Sequence, residues 1–307
     1  MTDFASAAAE YLATRRAMGY KFDHGPLVGQ FATYLDEVGA EHLTIAHALT
    51  WAKQLAAATP AWCAARLSTA RGFARYLSAF DPATEVPPVG LLPAPNHRAA
   101  GPYIYSEEDV ARVREAAGRL RPEHRADTYQ TLIALVAVTG MRAGEPVRLD
   151  CDDVDFEEGL VTIRNTKFGK SRQLPLHQST VEALAAYAER RDQSRPKAQF
   201  PSFFTSSTGT RLLRANVSSV FARLVREAGL GSTNRSRPPR LHDLRHSFAV
   251  KTMISWYRRG LDVEQRLPLL STWLGHSSPR DTYWYLSAVP ELLELVVDRV
   301  EAGAVGP

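Results

Sequence analysis

The sequence predicts a mainly α-helical chain with one small antiparallel β-hairpin, an α+β fold arranged in two domains. Through most of the 307 residues, apolar positions recur at the spacing of amphipathic helices, whereas two short runs near position 165 alternate as strands do. The proline-rich stretch from Asp81 to Pro102 is typical of a semi-extended linker. We therefore place a domain boundary near residue 98, between a helical domain (1–98) and a larger domain (99–307).

Residues 1 to about 80 are expected to form four helices. Gly19, Gly39 and the pair Thr59-Pro60 interrupt the apolar pattern and separate these helices. The predicted helices run from Phe4 to Met18, Leu27 to Val38, Ile45 to Ala58 and Trp62 to Phe80. Three arginines of the fourth helix could form a phosphate-contacting face, although solvated helix charge explains them at least as well: Arg66, Arg71 and Arg75.

The second domain is predicted to begin with a helix after the capping-box-like sequence Ser106-Glu107-Glu108-Asp109. The run from Thr128 to Val138 is apolar on nearly all sides, so its helix should be buried at the domain centre. Two strands follow, Leu160 to Arg164 and Arg172 to Leu176, and then helices at about 178–191, 216–228 and 240–259.

Composition and charge restrict the classes of protein that this chain can represent. The net charge of +4 and the isoelectric point near 9.1 permit a nucleic-acid partner without requiring one. Cys63 and Cys151 lie far apart in the sequence, so free thiols in a reducing cytoplasm are expected. No apolar run approaches the roughly 20 residues that a membrane span requires, and the N-terminus lacks the pattern of a signal peptide. We expect a cytoplasmic protein with no membrane partner.

Polar residues between positions 241 and 285 suit a phosphate pocket better than a core. His242 and Arg245 are three residues apart and therefore share one face of a helix, and a guanidinium can donate two parallel hydrogen bonds to a phosphate. His276 and Tyr285 are nine residues apart, about two and a half helical turns, so on one straight helix they would face opposite ways. The sequence Ser277-Ser278-Pro279 predicts a helix break that lets Tyr285 share the pocket.

Further candidates precede this segment. Arg142 follows the buried helix and a glycine turn, where a structural salt bridge to Glu145 is the alternative interpretation. Lys167 and Lys170 lie on the predicted hairpin turn, where a lysine is either solvent-facing or delivered to a phosphate. A basic loop leads into His242 and contains Arg235, Arg237 and Arg240.

Other interpretations of the same residues remain open at this level. His242 and His246 are one helical turn apart and could instead be metal ligands, although no carboxylate or cysteine cluster nearby completes such a site. The aromatic run that ends at Tyr285 could simply be packing.

Taken in order, these residues resemble the catalytic set of tyrosine recombinases, the phage-integrase and Xer-type site-specific recombinases. The resemblance is carried by T-G-M-R-A-G-E at 139–145, a lysine on the hairpin, H-D-L-R-H at 242–246, L-G-H at 274–276 and the nine-residue step to Tyr285. It covers about residues 99–290, whereas residues 1–98 resemble the core-DNA-binding domain of that family only in size, helix content and position. Pro146 departs from the family pattern, and Lys167 is preferred to Lys170 because the family places its lysine on the earlier side of the turn.

The resemblance implies a mechanism without a metal or cofactor. Tyr285 would attack the phosphodiester to give a 3′-phosphotyrosine and a free 5′-hydroxyl. Arg142 and Arg245 would bind the non-bridging oxygens, with a hydrogen bond from His276. Lys167 would protonate the leaving oxygen. His242 would assist proton transfer at the tyrosine, and Glu145 would orient the pocket. Contacts with DNA are assigned to Arg66, Arg71, Arg75, Lys170, Arg172, Arg235, Arg237 and Arg240.

The partners implied are a double-stranded recombination site, further copies of the chain in a tetramer on DNA, and accessory or partner recombinases. The apolar tail from Pro290 to Glu301 would dock on a neighbouring protomer, and packing on its own domain is the alternative. The reaction could serve integration, excision, transposition or resolution of DNA. A type IB topoisomerase or telomere-resolvase relative, a DNA-binding protein that does not cleave and a metal-dependent nuclease remain alternatives.

Overall fold

The computed structural model describes residues 3–20, 25–56, 58–93, 102–164, 171–194, 201–230, 238–276, 278, 280–288, 291–295 and 297. The chain forms two compact units, Met1–His97 and Arg98–Pro307, each with its own core. Over the described residues, no helix has both the length and the apolarity that a membrane crossing requires.

The first unit contains the four predicted helices: α1 (Phe4–Ala17), α2 (Gly25–Glu37), α3 (Ile45–Lys53) and α4 (Pro60–Leu77). Side-chain caps define several of their starts. The hydroxyl of Thr59 accepts a hydrogen bond from the amide of Trp62 at 3.2 Å, with Pro60 at the first helical position. Phe31, Trp51 and Phe73 pack together at the centre of the unit.

The arginines of α4 differ in their surroundings. Arg66 is only 4% exposed, and its guanidinium carbon lies 3.8 Å from the ring centroid of Trp51 while Nη2 donates to the Trp51 carbonyl at 2.7 Å. The expected DNA contact of Arg66 is therefore wrong for this conformation, because the cation is used inside the bundle. Arg71 donates to the carbonyl oxygens of Pro87 and Pro88, at 2.7 and 2.9 Å. Arg75 is exposed and stays a candidate.

The second unit is a helical domain that also contains a small sheet, whose strands lie between two of its helices in the sequence. Its helices are α5 (Glu107–Gly118), α6 (Glu123–Thr139), α7 (Gln178–Ser194), α8 (Arg214–Glu227), α9 (Leu241–Arg258), α10 (Val263–Leu274) and α11 (Arg280–Ala288). The strands are β1 (Val154–Asp155), β2 (Leu160–Ile163) and β3 (Arg172–Pro175), antiparallel in the order β1-β2-β3. The predicted hairpin strands are confirmed, with Ile163 paired to Arg172, and the structure adds β1 at the other edge of β2.

Helix α6 is the buried centre that its apolar sequence predicts. It packs against α5, α7 and α9, and Leu132, Ile133 and Val136 are completely buried. The helix ends at Gly140, whose φ of 64° lies in the left-handed region that favours glycine. A Cβ atom at this position would also lie 2.5 Å from the ring of Phe248, so the turn requires glycine on both grounds.

Candidate active site

Arg142 lies two residues beyond Gly140, the glycine turn that ends α6. Its Nη1 donates to Glu145 Oε1 at 3.1 Å, and its Nη2 donates to the carbonyl oxygen of Gly275. Both halves of the guanidinium are therefore held, one by a carboxylate on the same turn and one by the end of α10. The salt bridge to Glu145 that the sequence suggested is present, and it coexists with a position in the candidate pocket.

Glu145 is buried and binds two arginines. Arg172, the first residue of β3, donates from Nη1 and Nη2 to the two carboxylate oxygens at 3.0 and 2.8 Å. The amide of Arg142 donates to the same carboxylate at 2.8 Å. Burial acts to raise the pKa of Glu145, but the hydrogen bonds and positive charges of Arg172 and Arg142 outweigh it and leave the pKa below its usual value. The ionised carboxylate therefore links strand β3 to the turn that carries Arg142.

Arg245 is the most enclosed cation of this group, 1% exposed on α9. Nη1 donates to the carbonyl of Gly140 at 2.8 Å, and Nη2 donates to the carbonyl of Leu274 at 2.7 Å. These bonds use two of the five N–H groups of the guanidinium, and a further hydrogen bond from Arg245 acts to lower the pKa of Tyr285. Burial and the charge of Arg142 lower the pKa of Arg245 to about 10, so the side chain is still cationic at neutral pH.

The two arginines meet at the C-terminal end of α10. Arg245 binds the carbonyl of Leu274 and Arg142 binds the carbonyl of Gly275, the residue that ends the helix with φ of 68°. His276 follows directly, and its Nδ1 lies 2.7 Å from the hydroxyl oxygen of Thr282 on α11. The predicted break is confirmed, because α10 ends at Leu274 and a separate helix begins at Arg280.

Tyr285 lies on α11 and is 2% exposed. Its ring is nearly parallel to that of His276, with centroids 6.3 Å apart and an interplanar angle of 20°. Burial raises the pKa of Tyr285, and the positive charges of Arg245 and Arg142 oppose this shift without cancelling it. The structure therefore brings together Arg142, Arg245, His276 and Tyr285, as the sequence predicted.

His242 also belongs to this region, one turn before His246 on α9. Burial, followed by the charge of Arg245, lowers the pKa of His242 to about 4. The same two causes, in the same order, lower the pKa of His276 to about 4. Both imidazoles are therefore neutral at neutral pH, and each can donate one hydrogen bond and accept another.

One polar contact in the pocket was not predicted. His246 Nδ1 lies 3.0 Å from the hydroxyl oxygen of Tyr285. In the sequence His246 was considered only as a metal ligand, together with His242. No group of three or more histidine, cysteine or acidic side chains placed to hold a metal occurs among the described residues. The H-D-L-R-H motif contained the signal, since His246 is one turn from His242, but its target depends on the placement of α11.

The remaining predicted residues differ in their placement. Arg172 was expected to contact DNA, and the structure corrects this: its guanidinium is occupied by Glu145 and, through Nε, by the carbonyl of Trp273 at 2.8 Å. The side chain of Arg240 is 54% exposed at the start of α9 and stays a candidate for DNA contact. Four predicted residues lie outside the described part of the chain: Lys167, Lys170, Arg235 and Arg237.

Comparison with known proteins agrees with this geometry. The profile of the phage integrase family matches residues 107–291, which include every predicted catalytic position. The chain belongs to the phage integrase family. It is a site-specific tyrosine recombinase, an enzyme that cuts and rejoins DNA strands.

Relatives of this phage integrase family member extend along the whole chain. A putative integrase/recombinase of Sinorhizobium fredii, y4rB, is 42% identical over 310 residues, which cover 98% of each chain. The structure of XerH recombinase with its difH substrate, a post-cleavage complex, matches with a TM-score of 0.61 and 20% identity over 92% of this chain and 78% of that one. A lambda integrase tetramer bound to a Holliday junction matches with a TM-score of 0.60 and 16% identity over 91% and 79% of the respective chains. At these identities the two structures show that the fold is shared.

Proposed function

We propose that Tyr285 is the nucleophile of strand cleavage and forms a 3′-phosphotyrosine intermediate with a free 5′-hydroxyl. The observation that carries this proposal is the convergence of Arg142 and Arg245 on the end of α10, beside His276 and Tyr285. Two cations and a phenol in one largely buried pocket suit attack on a phosphodiester, because the transition state concentrates negative charge on the non-bridging oxygens. The covalent intermediate retains the energy of the broken bond for rejoining.

Each side chain has a distinct part in the proposed reaction. Arg142 and Arg245 bind the non-bridging oxygens, and His276 adds a hydrogen bond. Removing one such preorganised donor is expected to raise the barrier by about 3 kcal/mol or more. Lys167 protonates the leaving 5′-oxygen, and Glu145 keeps Arg142 in place through the bonds described above. His242 contributes to proton transfer at the tyrosine.

We further propose that the enzyme acts in the cytoplasm as a tetramer on a double-stranded recombination site. Residues 1–98 would bind the DNA that flanks the cleavage position, with Arg75 among the contacts, and Arg240 of the second domain would add another, since both side chains are exposed. The lambda integrase tetramer on a Holliday junction supports this arrangement by its shared fold. The reaction would serve integration, excision, transposition or resolution of DNA, together with accessory or partner recombinases.

The test uses nicked duplexes that cover the DNA flanking this gene, incubated with the protein in EDTA. Denaturing gels detect a covalent adduct, and mass spectrometry locates the adducted peptide. We expect an adduct at Tyr285 that Tyr285→Phe abolishes while DNA binding is retained. Tyr283→Phe is the matched control, because Tyr283 lies on the same helix and is 47% exposed.

Other outcomes contradict the proposal in different ways. DNA binding without any adduct supports a binding protein that does not cleave. If cleavage requires a divalent metal and persists in the Tyr285→Phe variant, the protein is a metal-dependent nuclease. An adduct on another residue overturns the assignment of Tyr285.

A further inference from the structure

The hydroxyl of Tyr285 is within hydrogen-bond distance of His246, 3.0 Å from Nδ1. The two rings are tilted by 60° with centroids 5.4 Å apart. His246 also contacts the rings of His242 and Trp284 in edge-to-face geometry, at 4.8 and 5.6 Å between centroids. These contacts hold the imidazole from two sides and keep Nδ1 on the hydroxyl.

A tyrosine that attacks phosphorus must lose its phenolic proton. Burial raises the pKa of Tyr285, so the proton does not leave readily without a base in contact with it. His242 is a weak base, since burial and the charges of Arg245 and Arg142 hold its pKa at about 4. His276 is similarly weak and its Nδ1 is engaged with Thr282. With its own ring proton on Nε2, His246 accepts the hydroxyl hydrogen at Nδ1.

We propose that His246 is a further catalytic residue, which holds the hydroxyl of Tyr285 and receives its proton as the phenol oxygen attacks phosphorus. The inference rests on the proposed function of Tyr285 as the nucleophile. As the bond between the tyrosine oxygen and phosphorus forms, the bond from phosphorus to the 5′-oxygen breaks and that oxygen takes a proton from the general acid. The phenolic proton stays on His246, which becomes an imidazolium. In rejoining, the 5′-hydroxyl attacks phosphorus and gives its proton back to the general acid, while the bond from phosphorus to the tyrosine oxygen breaks and the imidazolium returns its proton to the departing phenolate.

The first test measures adduct formation in a single turnover on a nicked duplex that wild-type enzyme cleaves. His246→Ala removes the contact, whereas His246→Asn keeps a polar atom near the place of Nδ1 but is not basic. We expect both variants to slow adduct formation by about 10²-fold or more, the range of general-base catalysis, with DNA affinity unchanged. His177→Asn is the matched control, because His177 is exposed before α7. A wild-type rate in His246→Asn overturns proton transfer to His246.

The second test distinguishes action on the tyrosine from general damage to the pocket. A DNA strand that ends in a 3′-(p-nitrophenyl) phosphate can be joined to a 5′-hydroxyl strand by a Tyr285→Phe enzyme, since nitrophenolate departs without a proton. In this background we expect His246→Asn to change nitrophenolate release by less than a factor of about three, and Arg245→Lys to reduce it by about 10²-fold. Equal losses from His246→Asn in both assays overturn the inference. A wild-type enzyme that forms no adduct at Tyr285 overturns the proposed function itself.

Discussion

The carboxylate of Glu145 and the guanidinium of Arg172 form a two-point ion pair, with Nη1–Oε1 at 3.0 Å and Nη2–Oε2 at 2.8 Å. The pair joins the first residue of β3 to the turn that carries Arg142, and Arg172 Nε extends the link to the carbonyl of Trp273 on α10. A substitution at Gly275 would push into this group, because an added Cβ atom would lie 2.8 Å from Arg172 Nη1. The pocket is therefore supported by a buried ion pair between Glu145 and Arg172.

Arg172→Gln is expected to lower the free energy of unfolding by about 3–5 kcal/mol, because it leaves the buried carboxylate of Glu145 with one arginine. Adduct formation should fall as well, since the carboxylate that holds Arg142 is then no longer fixed by Arg172 of β3. Urea denaturation and the nicked-duplex assay measure the two effects. Arg119→Gln is the control: it breaks an exposed pair with Glu115 and should change the free energy by about 0–1 kcal/mol. Equally small changes in both variants would show that the buried pair contributes no stability.

The roles of Lys167 and Lys170 on the predicted hairpin turn can be distinguished with a sulfur-substituted substrate. Lys167→Ala should slow cleavage of an ordinary phosphodiester by about 10²–10⁴-fold, because the leaving 5′-oxygen then lacks its general acid. A strand with sulfur in place of the 5′-bridging oxygen should restore the rate, since a thiolate departs without a proton. Lys170→Ala should cleave both substrates at nearly the wild-type rate. Sulfur rescue of Lys170→Ala, with none for Lys167→Ala, would reverse the assignment.

Stability should decrease as the solution becomes mildly acidic. Burial and nearby arginines hold the pKa of His242 and of His276 at about 4, against an ordinary value of 6.5. Between pH 6.5 and pH 4 these two histidines are protonated in the unfolded chain but neutral in the folded chain. The free energy of unfolding therefore falls as pH falls from 6.5 toward 4 and recovers as pH rises. Each histidine contributes at most about 1.4 kcal/mol per pH unit, and less where solvent screens it.

Urea denaturation at several pH values measures this slope. His242→Asn should flatten it, because one of the two suppressed protonation sites is gone. His177→Asn is the control, because that side chain is exposed. A wild-type slope in His242→Asn would show that burial of this imidazole does not govern the acid sensitivity.

The described part of the tail packs on its own domain. Leu292 is completely buried in the apolar cluster that also contains Tyr285, and Glu291 accepts a hydrogen bond from Arg258 at 2.8 Å. Leu292→Ala should therefore lower the free energy of unfolding by about 2–5 kcal/mol. The adjacent Leu293→Ala should stay within about 0.5 kcal/mol, because Leu293 is 48% exposed. Equal, small effects at both positions would favour a tail that is released from its own domain, as docking on a neighbouring protomer requires.

The sequence was sufficient for the helices, the hairpin strands and most of the candidate site. Helical and strand periodicities depend on residues that are close in the sequence, so they can be recognised without knowledge of the packing. The helix break between His276 and Tyr285 was predictable for the same reason, because serine and proline act on the backbone within a few residues. The order and spacing of Arg142, His242, Arg245, His276 and Tyr285 also identified the chemistry before any contact was known.

Only the tertiary structure decided which partner each polar side chain has. Arg66 is used inside the helical bundle, and Arg172 binds Glu145 from 27 positions away, although both arginines were predicted to bind DNA. His246 meets Tyr285 across 39 positions, on a different helix. The residue type fixes the charge of an arginine and the two ring nitrogens of a histidine. The packing of the helices decides which hydrogen-bond partner each side chain contacts. The sequence by itself therefore determined the fold class and the candidate reactive groups, and packing decided which of these groups lie together in the pocket and which hold the pocket in place.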